Sequence, residues 1–135
     1  KYIFFMLYYI YMNSSFVFQK KFTLEKRLEE SKKIIEKYEN KIPIIVEKSK
    51  QGKLPIINKC KFLVPSEMTL GQFMCVLRRR IKIADTESIF IFVNNNVLPP
   101  TTSLVSQLYE EYKNEDGFLY MSYCNENVFG SNPQF

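Results

Sequence analysis

Histidine is absent from the sequence, and cysteine occurs only as Cys60, Cys75 and Cys124. The cysteines lie far apart and form no C-x-x-C pair, which excludes histidine-based triads, Cys-His nucleophiles and ordinary zinc sites. Free cysteine packs as a small apolar residue, so we expect all three in the core of a protein from a reducing compartment. Scattered carboxylates such as Glu110 and Glu111 are typical of solvated helix ends. We therefore expect no metal, no cofactor and no enzymatic activity.

A hydrophobic run long enough to span a membrane is also missing. The apolar, aromatic segment at residues 1–11 is too short, because a transmembrane helix needs about 20 residues. Lys1 precedes this run as it would in a signal peptide, yet no small-x-small cleavage site follows. We interpret residues 1–11 as a non-native extension and expect the natural start at Met12.

The composition is that of a globular protein. The chain has 135 residues, of which 46% are hydrophobic and 24% charged, which predicts one domain with a substantial core. The formal net charge of +5 permits acidic peptides, anionic lipid surfaces or nucleic acid as partners and selects none of them.

Three segments have helical periodicity. The first begins after Thr23, a candidate N-cap, and Glu29 and Lys33 can pair on its charged face. Its apolar stripe recurs at steps of four and three, at Leu24, Leu28, Ser31, Ile35 and Tyr38. We expect that stripe to be the buried side and the helix to end at Asn40.

The other two helices follow polar capping residues. Thr69 and Gln72 form a capping box, and the helix that they open has a predicted buried stripe of Phe73, Val76, Leu77 and Ile81 and a basic end at Arg78–Lys82. The last helix is predicted to be capped by Thr101, Thr102 or Ser103 and to bury Leu104, Val105, Leu108, Tyr109 and Tyr112.

Four runs rich in β-branched and aromatic residues predict strands. They are Lys41–Lys48, Lys59–Pro65, Ser88–Val93 and Phe118–Cys124. Two lysines and a terminal proline protect a sheet edge from unwanted pairing, so the second run is predicted to be an edge strand. The order of elements predicts an α+β fold, a ubiquitin-like β-grasp roll with additional N-terminal helices, in which the last strand lies parallel to the first.

Several blocks of this sequence, in the same order along the chain, resemble those of one known family. They include Glu25-Lys26-Arg27, Lys41–Lys48, Lys61–Pro65, Thr69–Phe73, Arg78–Ile81, Ile89–Asn94, Leu98–Thr101, Asp116–Tyr120 and Glu126–Gly130. From about Met12 to Gly130 the chain resembles the autophagy ubiquitin-like modifiers, the family of the GABA-receptor-associated protein and the microtubule-associated light chain. An extra asparagine in Asn94–Asn96 is a small departure.

The resemblance implies a precursor whose working end is its C-terminus. Residues 12–130 would form one ubiquitin-like domain with a helical subdomain at about 12–38, and a cysteine protease would cut after Gly130 to remove residues 131–135. Activating and conjugating enzymes would then join Gly130 to phosphatidylethanolamine, the only covalent group expected. Phe129 would act as an apolar anchor beside the cleavage site.

The resemblance also implies binding of aromatic-x-x-aliphatic peptides from cargo receptors and adaptors. The aromatic pocket would consist of Glu30, Ile34, Pro43, Ile45, Lys61, Leu63 and Phe118. The aliphatic pocket would consist of Phe62, Val64, Pro65, Met68, Phe73, Val76 and Leu77. Lys59, Lys61 and Arg80 would contact acidic flanking residues of the peptide.

The implied localisation is the cytoplasm and, through the lipid anchor, the autophagosome membrane or another organelle membrane. We expect a monomer that does not bind nucleic acid, since no aromatic residues interleave with Arg78–Arg80. An alternative remains open, namely a ubiquitin-like interaction domain that is never conjugated and keeps its tail.

Overall fold

The computed structural model describes residue 3, residues 16–50 and residues 52–125. Its elements are α1 (Val17–Lys21), α2 (Leu24–Lys37), β1 (Lys41–Lys48), β2 (Lys61–Pro65), α3 (Leu70–Ile81), β3 (Phe90–Val93), α4 (Val105–Tyr112) and β4 (Leu119–Cys124). In those ranges no helix combines the length and the apolar character that crossing a bilayer requires. Apart from Ile3, the predictions for residues 1–11 lie outside the described residues, as do those for Met12, Phe129, Gly130 and residues 131–135.

The four strands form one mixed sheet in the order β2-β1-β4-β3. β1 and β4 run parallel at its centre, as predicted, and β2 and β3 pair antiparallel with them on the two outer sides. The prediction that β2 is an edge strand is therefore confirmed. Pro43 has no N–H to donate, but it does not interrupt the pairing of β1 with β4, because that pairing starts one residue later, at Ile44.

Alternate residues of the central strands enter two different cores, because successive side chains of a strand point to opposite faces. Ile44 and Val46 of β1 pack with α3 and α4 in the larger core. Ile45 packs on the opposite face with Phe118 and Tyr120, where Phe16 and Phe18 cover it. The ring centroids of Phe16 and Tyr120 lie 4.9 Å apart. Helices therefore cover both faces of the sheet.

A buried network fixes α2 against the turn that precedes β4. Arg27 Nη1 donates to Asp116 Oδ2 at 2.5 Å, and the Tyr120 hydroxyl donates to the same oxygen. Asp116 Oδ1 accepts from the amide of Phe118 at 2.9 Å. The Asp116 side chain is fully buried and that of Arg27 is 11% exposed. Because a buried charge is tolerated only with partners, this network selects one position for α2.

Helix α1 depends on a carboxylate that no sequence pattern singled out. Both oxygens of Glu47 on β1 accept backbone N–H groups at the start of α1, from Val17 at 2.8 Å and from Phe18 at 2.9 Å. The first amides of a helix lack partners within the helix, and a negative charge there is favourable. Glu47 therefore attaches α1 to the sheet.

The predicted buried side of α2 is largely wrong. Ser31 is buried as expected, but Leu24, Leu28, Ile35 and Tyr38 are exposed, and Ile34 is buried instead. The reason is Ser31, whose hydroxyl donates to the carbonyl of Asp116 at 2.6 Å and lies against Gly117. That close approach fixes the rotation of α2 about its own axis, so that Arg27, Ser31 and Ile34 face the sheet and the turn before β4.

Several capping predictions hold and others fail. Thr23 caps α2, and Thr69 with Gln72 forms the capping box of α3. The predicted cap of α4 is wrong, because Leu104 takes the N-cap position and its amide donates to Gln107 Oε1 at 3.2 Å.

Other local corrections concern boundaries and burial. The prediction that Cys75 is a core residue is wrong, since it lies on the exposed side of α3, and Cys60 is only half-buried. α2 ends at Lys37, before the predicted Asn40. β2 and β3 begin two residues later than predicted, at Lys61 and Phe90.

Replacing Arg27 with methionine tests the buried network. We expect Arg27→Met to lower the free energy of unfolding by about 3 kcal/mol, because it leaves the buried Asp116 without its cation. The matched control is Lys33→Met, which removes the exposed pair with Glu29 at 3.2 Å and should cost less than about 1 kcal/mol. Urea unfolding followed by circular dichroism measures both, and equal losses would contradict this account of α2.

The buried phenol of Tyr120 predicts a loss of stability in alkali. Burial, and then its hydrogen bond to Asp116, raise the pKa of Tyr120 above the ordinary value of 10.0. Above about pH 10 the unfolded chain releases this proton while the folded chain keeps it, so the free energy of unfolding falls as pH rises. Urea titrations between pH 9 and 11 should give a smaller decrease for Tyr120→Phe. If the free energy of unfolding fell equally with pH in the wild type and in Tyr120→Phe, Tyr120 would contribute nothing to the loss of stability.

Candidate functional site

A groove of about 560 Å³ runs along the outer side of β2, between α2 and α3. Its lining residues are Glu30, Lys33, Ile34, Lys59, Lys61, Phe62, Leu63, Val64, Pro65, Met68, Phe73, Val76 and Arg80. The groove is open because β2 is an edge strand, with β1 on one side and no described strand on the other.

The structure places four of the seven aromatic-pocket candidates in this groove. Glu30 and Ile34 come from α2, and Lys61 and Leu63 come from β2. The other three, Pro43, Ile45 and Phe118, are buried and do not line it. Ile45 and Phe118 belong to the core beneath α1.

Six of the seven aliphatic-pocket candidates line the same groove: Phe62, Val64, Pro65, Met68, Phe73 and Val76. Phe62 and Phe73 meet edge to face, with ring centroids 5.6 Å apart. Leu77 does not line the groove, and its side chain is fully buried in the larger core. The two predicted pockets are thus parts of one continuous depression.

Cations predominate at the rim. Lys33, Lys59, Lys61 and Arg80 all line the groove, whereas Glu30 is its one lining carboxylate among the described residues. Lys61 forms an ion pair with Glu30, and Lys33 pairs with Glu29. In the described part of the chain, Lys59 and Arg80 have no carboxylate partner, so both can bind an acidic ligand. Lys33 was not among the predicted site residues, although it lies three residues after Glu30 on the same helix face.

The backbone of β2 alternates between the two sides of the strand. The amide of Val46 donates to the carbonyl of Cys60 at 2.8 Å, and the amide of Ser66 donates to the carbonyl of Asn40 at 2.9 Å. Because hydrogen-bonded positions of an antiparallel pair recur every second residue, Phe62 and Val64 also turn their amides to β1. The amides of Lys61 and Leu63 therefore point away from β1, towards the open side.

The thiol nearest to this edge is not activated. Cys60 precedes β2, and its burial, followed by the negative charge of Glu47, raises the pKa of the thiol. A nucleophilic cysteine needs a lowered pKa. The Cys60 thiol therefore lacks the lowered pKa of a nucleophilic cysteine.

The path of the chain after β4 is fixed as far as Asn125. The Tyr123 hydroxyl donates to the carbonyl of Pro55 at 2.6 Å and accepts from the amide of Ile57 at 2.8 Å. The Asn125 side chain donates to Glu87 at 3.3 Å and accepts from the amide of Lys53 at 3.4 Å. These contacts define where the segment that contains Gly130 begins. No sequence pattern pointed to them, because the partners are far apart in the chain.

The fold defines the class of protein. A mixed sheet with parallel central strands and a helix packed across one face is the ubiquitin-like β-grasp roll, and the predicted α+β class with added N-terminal helices is confirmed. Two solved structures are similar over most of their length. The Trypanosoma brucei ATG8 crystal structure has a TM-score of 0.79 at 35% identity and covers 82% of this chain and 94% of its own. The Plasmodium falciparum Atg8 structure, solved with a P. falciparum Atg3 peptide, has a TM-score of 0.75 at 39% identity and covers 83% and 98%.

The sequence comparisons define the family. Residues 26–130 match the family described as "Autophagy protein Atg8 ubiquitin like". Autophagy-related protein 8a of Arabidopsis thaliana is 56% identical over 108 residues, which are 80% of this chain and 88% of the relative. Autophagy-related protein 8 of Vanderwaltozyma polyspora is 50% identical over 120 residues, or 89% and 99%. The chain belongs to the Atg8 family of ubiquitin-like autophagy proteins, which confirms the resemblance.

Proposed function

We propose that this autophagy protein is a lipid-coupled modifier that also binds aromatic-x-x-aliphatic peptides at the groove beside β2. The observation that carries the peptide-binding part is the open edge of β2, where the amides of Lys61 and Leu63 face an apolar groove with a cationic rim. The coupling part rests on family membership and on a C-terminal segment that contains Phe129 and Gly130.

Strand addition is the binding mode that fits the edge of β2. An extended peptide satisfies the outward amides of Lys61 and Leu63 through its own carbonyl groups, and main-chain hydrogen bonds of this kind supply affinity without regard to sequence. Side chains of the peptide supply specificity by entering the groove. An aromatic residue would enter at the end near Glu30, Ile34 and Leu63.

The aliphatic residue of the peptide would enter at the other end of the groove. Met68, Phe73 and Val76 provide an apolar surface there. Residues i and i+3 of an extended peptide lie about 10 Å apart and point to opposite faces of the added strand. The aromatic side chain would therefore face α2 and the aliphatic side chain would face α3, which both line the groove. Burial of a leucine-sized side chain contributes about 2 kcal/mol.

The rim selects peptides with acidic neighbours. Lys59 and Arg80 carry positive charges that no described carboxylate neutralises. Lys61 is paired with Glu30. Opposite charges at an exposed rim accelerate association and disfavour basic competitors more than they increase affinity. Cargo receptors and adaptors with acidic residues before the aromatic position are the proposed partners.

The second part of the proposal is coupling through Gly130. A cysteine protease would remove residues 131–135, and activating and conjugating enzymes would pass the new carboxylate to phosphatidylethanolamine. Glycine fits this role because a residue without Cβ passes through a narrow enzyme site. The P. falciparum Atg8 relative was solved with an Atg3 peptide, and we propose that this chain likewise binds a conjugating enzyme.

Lipid coupling would place the protein on membranes although its described helices do not span them. The folded body would remain in the cytoplasm, and the coupled lipid would anchor it to the autophagosome or to another organelle. A chain that keeps its tail in cells would instead be a ubiquitin-like interaction domain that is never conjugated.

Reversing the charge of Lys61 tests the peptide site. We expect Lys61→Glu to weaken binding of a synthetic peptide with three acidic residues before an aromatic-x-x-leucine core by about tenfold, since the change places two carboxylates together at the rim. Isothermal titration calorimetry gives the affinity. The control is Lys26→Glu, an exposed lysine of α2 outside the groove, which should leave the affinity unchanged. Equal affinities for all three proteins would exclude this groove as the peptide site.

Replacing Gly130 with alanine tests the coupling. In a reconstituted reaction with the family's protease, activating and conjugating enzymes and phosphatidylethanolamine vesicles, the wild-type chain should lose residues 131–135 and gain one phospholipid in intact mass. Gly130→Ala should abolish the phospholipid adduct, whereas the neighbouring Ser131→Ala should behave as wild type. An adduct on Gly130→Ala, or an uncleaved wild-type chain, would contradict the proposal.

A further inference from the structure

A second surface lies on α2, away from the groove. Leu28, Ser31, Lys32 and Ile35 line a cleft of about 420 Å³, together with Glu29 and Glu36. Leu28 is 42% exposed and Ile35 is 45% exposed, although both are large apolar residues. Ser31 forms the floor, because its small side chain is turned to Asp116. We call this surface the α2 cleft.

The spacing of the cleft residues identifies the shape that fits it. Positions i, i+3, i+4 and i+7 of one helix form the hole that receives a side chain from a second helix in knobs-into-holes packing. Leu28, Ser31, Lys32 and Ile35 have this spacing. Leu24 and Tyr38 extend the exposed apolar stripe by one step at each end. The α2 cleft is therefore complementary to a helix with an apolar stripe of its own.

The charges beside the stripe specify the partner further. At about 100° per residue, the helix sector on the solvent side of the stripe contains one lysine, Lys32, and three carboxylates, Glu25, Glu29 and Glu36. All four are exposed. On the other side, the turn tied to Ser31 carries the exposed Glu115. The surroundings of the cleft are thus acidic, although the chain as a whole has a net charge of +5.

We propose that the α2 cleft binds an amphipathic helix of a partner protein, with a leucine-like side chain in the cleft and basic residues facing the carboxylates. Helix-in-groove recognition uses anchors at i, i+3 or i+4 and i+7. A second copy of this chain fits less well, because antiparallel pairing of two α2 helices through the cleft brings Lys32 near its own copy and two acidic rows together. An anionic membrane is repelled by the same carboxylates.

The cleft and the peptide groove use different sides of the same helix. Glu30, Lys33 and Ile34 line the groove, whereas Leu28, Lys32 and Ile35 line the cleft. The structure therefore allows both sites to be occupied at once. Binding at the cleft does not depend on the peptide-binding function proposed above.

The direct test uses two synthetic helical peptides that share a leucine stripe at i, i+3, i+4 and i+7. One carries lysine and arginine beside the stripe, and the other carries glutamate at the same positions. Fluorescence anisotropy at 0.15 M salt should show binding of the basic peptide, with about tenfold weaker binding of the acidic one. Amide chemical shifts in nuclear magnetic resonance spectra should change along residues 24–38 and not along β2.

Variants of exposed residues locate the site without disturbing the fold. Ile35→Ser should weaken binding of the basic peptide by about fivefold or more, whereas Val17→Ser, at another exposed aliphatic residue of a helix, should not change it. The double variant Glu25→Lys with Glu36→Lys should reverse the preference and favour the acidic peptide. Thermal unfolding checks that each variant remains folded.

Four outcomes would overturn the proposal. They are equal affinity for both peptides, an equal effect of Val17→Ser and Ile35→Ser, shift changes confined to β2, and a preference that the double variant leaves unchanged. Dimers in sedimentation that Ile35→Ser disperses would assign the cleft to a second copy. Binding to phosphatidylserine vesicles that Ile35→Ser abolishes would assign it to a membrane.

Discussion

The parallel pairing of β1 with β4 at the centre of the sheet is the constraint on which the other features depend. A parallel pair is stable in water only when both of its faces are covered. Residues such as Ile44 and Ile45, neighbours in sequence, are both fully buried on opposite faces. α3 and α4 cover one face and the two N-terminal helices cover the other. Arg27 and Glu47 supply the polar contacts that fix those N-terminal helices.

The position of α2 then shapes the surface that we propose for peptide recognition. Once Ser31 and Arg27 have fixed its rotation, Glu30 and Ile34 form one wall of the groove beside β2, and α3 provides the other. The edge of β2 stays open within this groove. Lysines at an edge strand, here Lys61 and the preceding Lys59, discourage association with other strands, and in the proposed function they would also favour a peptide that carries acidic residues. Protection of the edge and selection of a ligand would then use the same side chains.

Local patterns predicted most of the elements, because their causes are local. The uncharged run that became β4, the Thr69–Gln72 capping box and the lysine–proline signature of β2 each act within a few residues. The burial of α2 could not be predicted in this way. Its apolar stripe had the correct period, but the contact of Ser31 with the turn at Asp116, far along the chain, decided which side faces the body. Ile45, Phe118 and Leu77 fail to line the groove for a related reason, since only packing separates a groove wall from the core beneath it.

Amide hydrogen exchange of β2 tests directly whether the outer edge of this strand is open and takes a peptide as an added strand. Without a peptide, the amides of Phe62 and Val64 should exchange slowly because β1 protects them, and those of Lys61 and Leu63 should exchange quickly. A saturating acidic aromatic-x-x-leucine peptide should slow exchange at Lys61 and Leu63 by at least about tenfold, since it adds as a strand. Protection of Lys61 and Leu63 before the peptide is added, or no change after saturation, would contradict the account of β2 as an open edge.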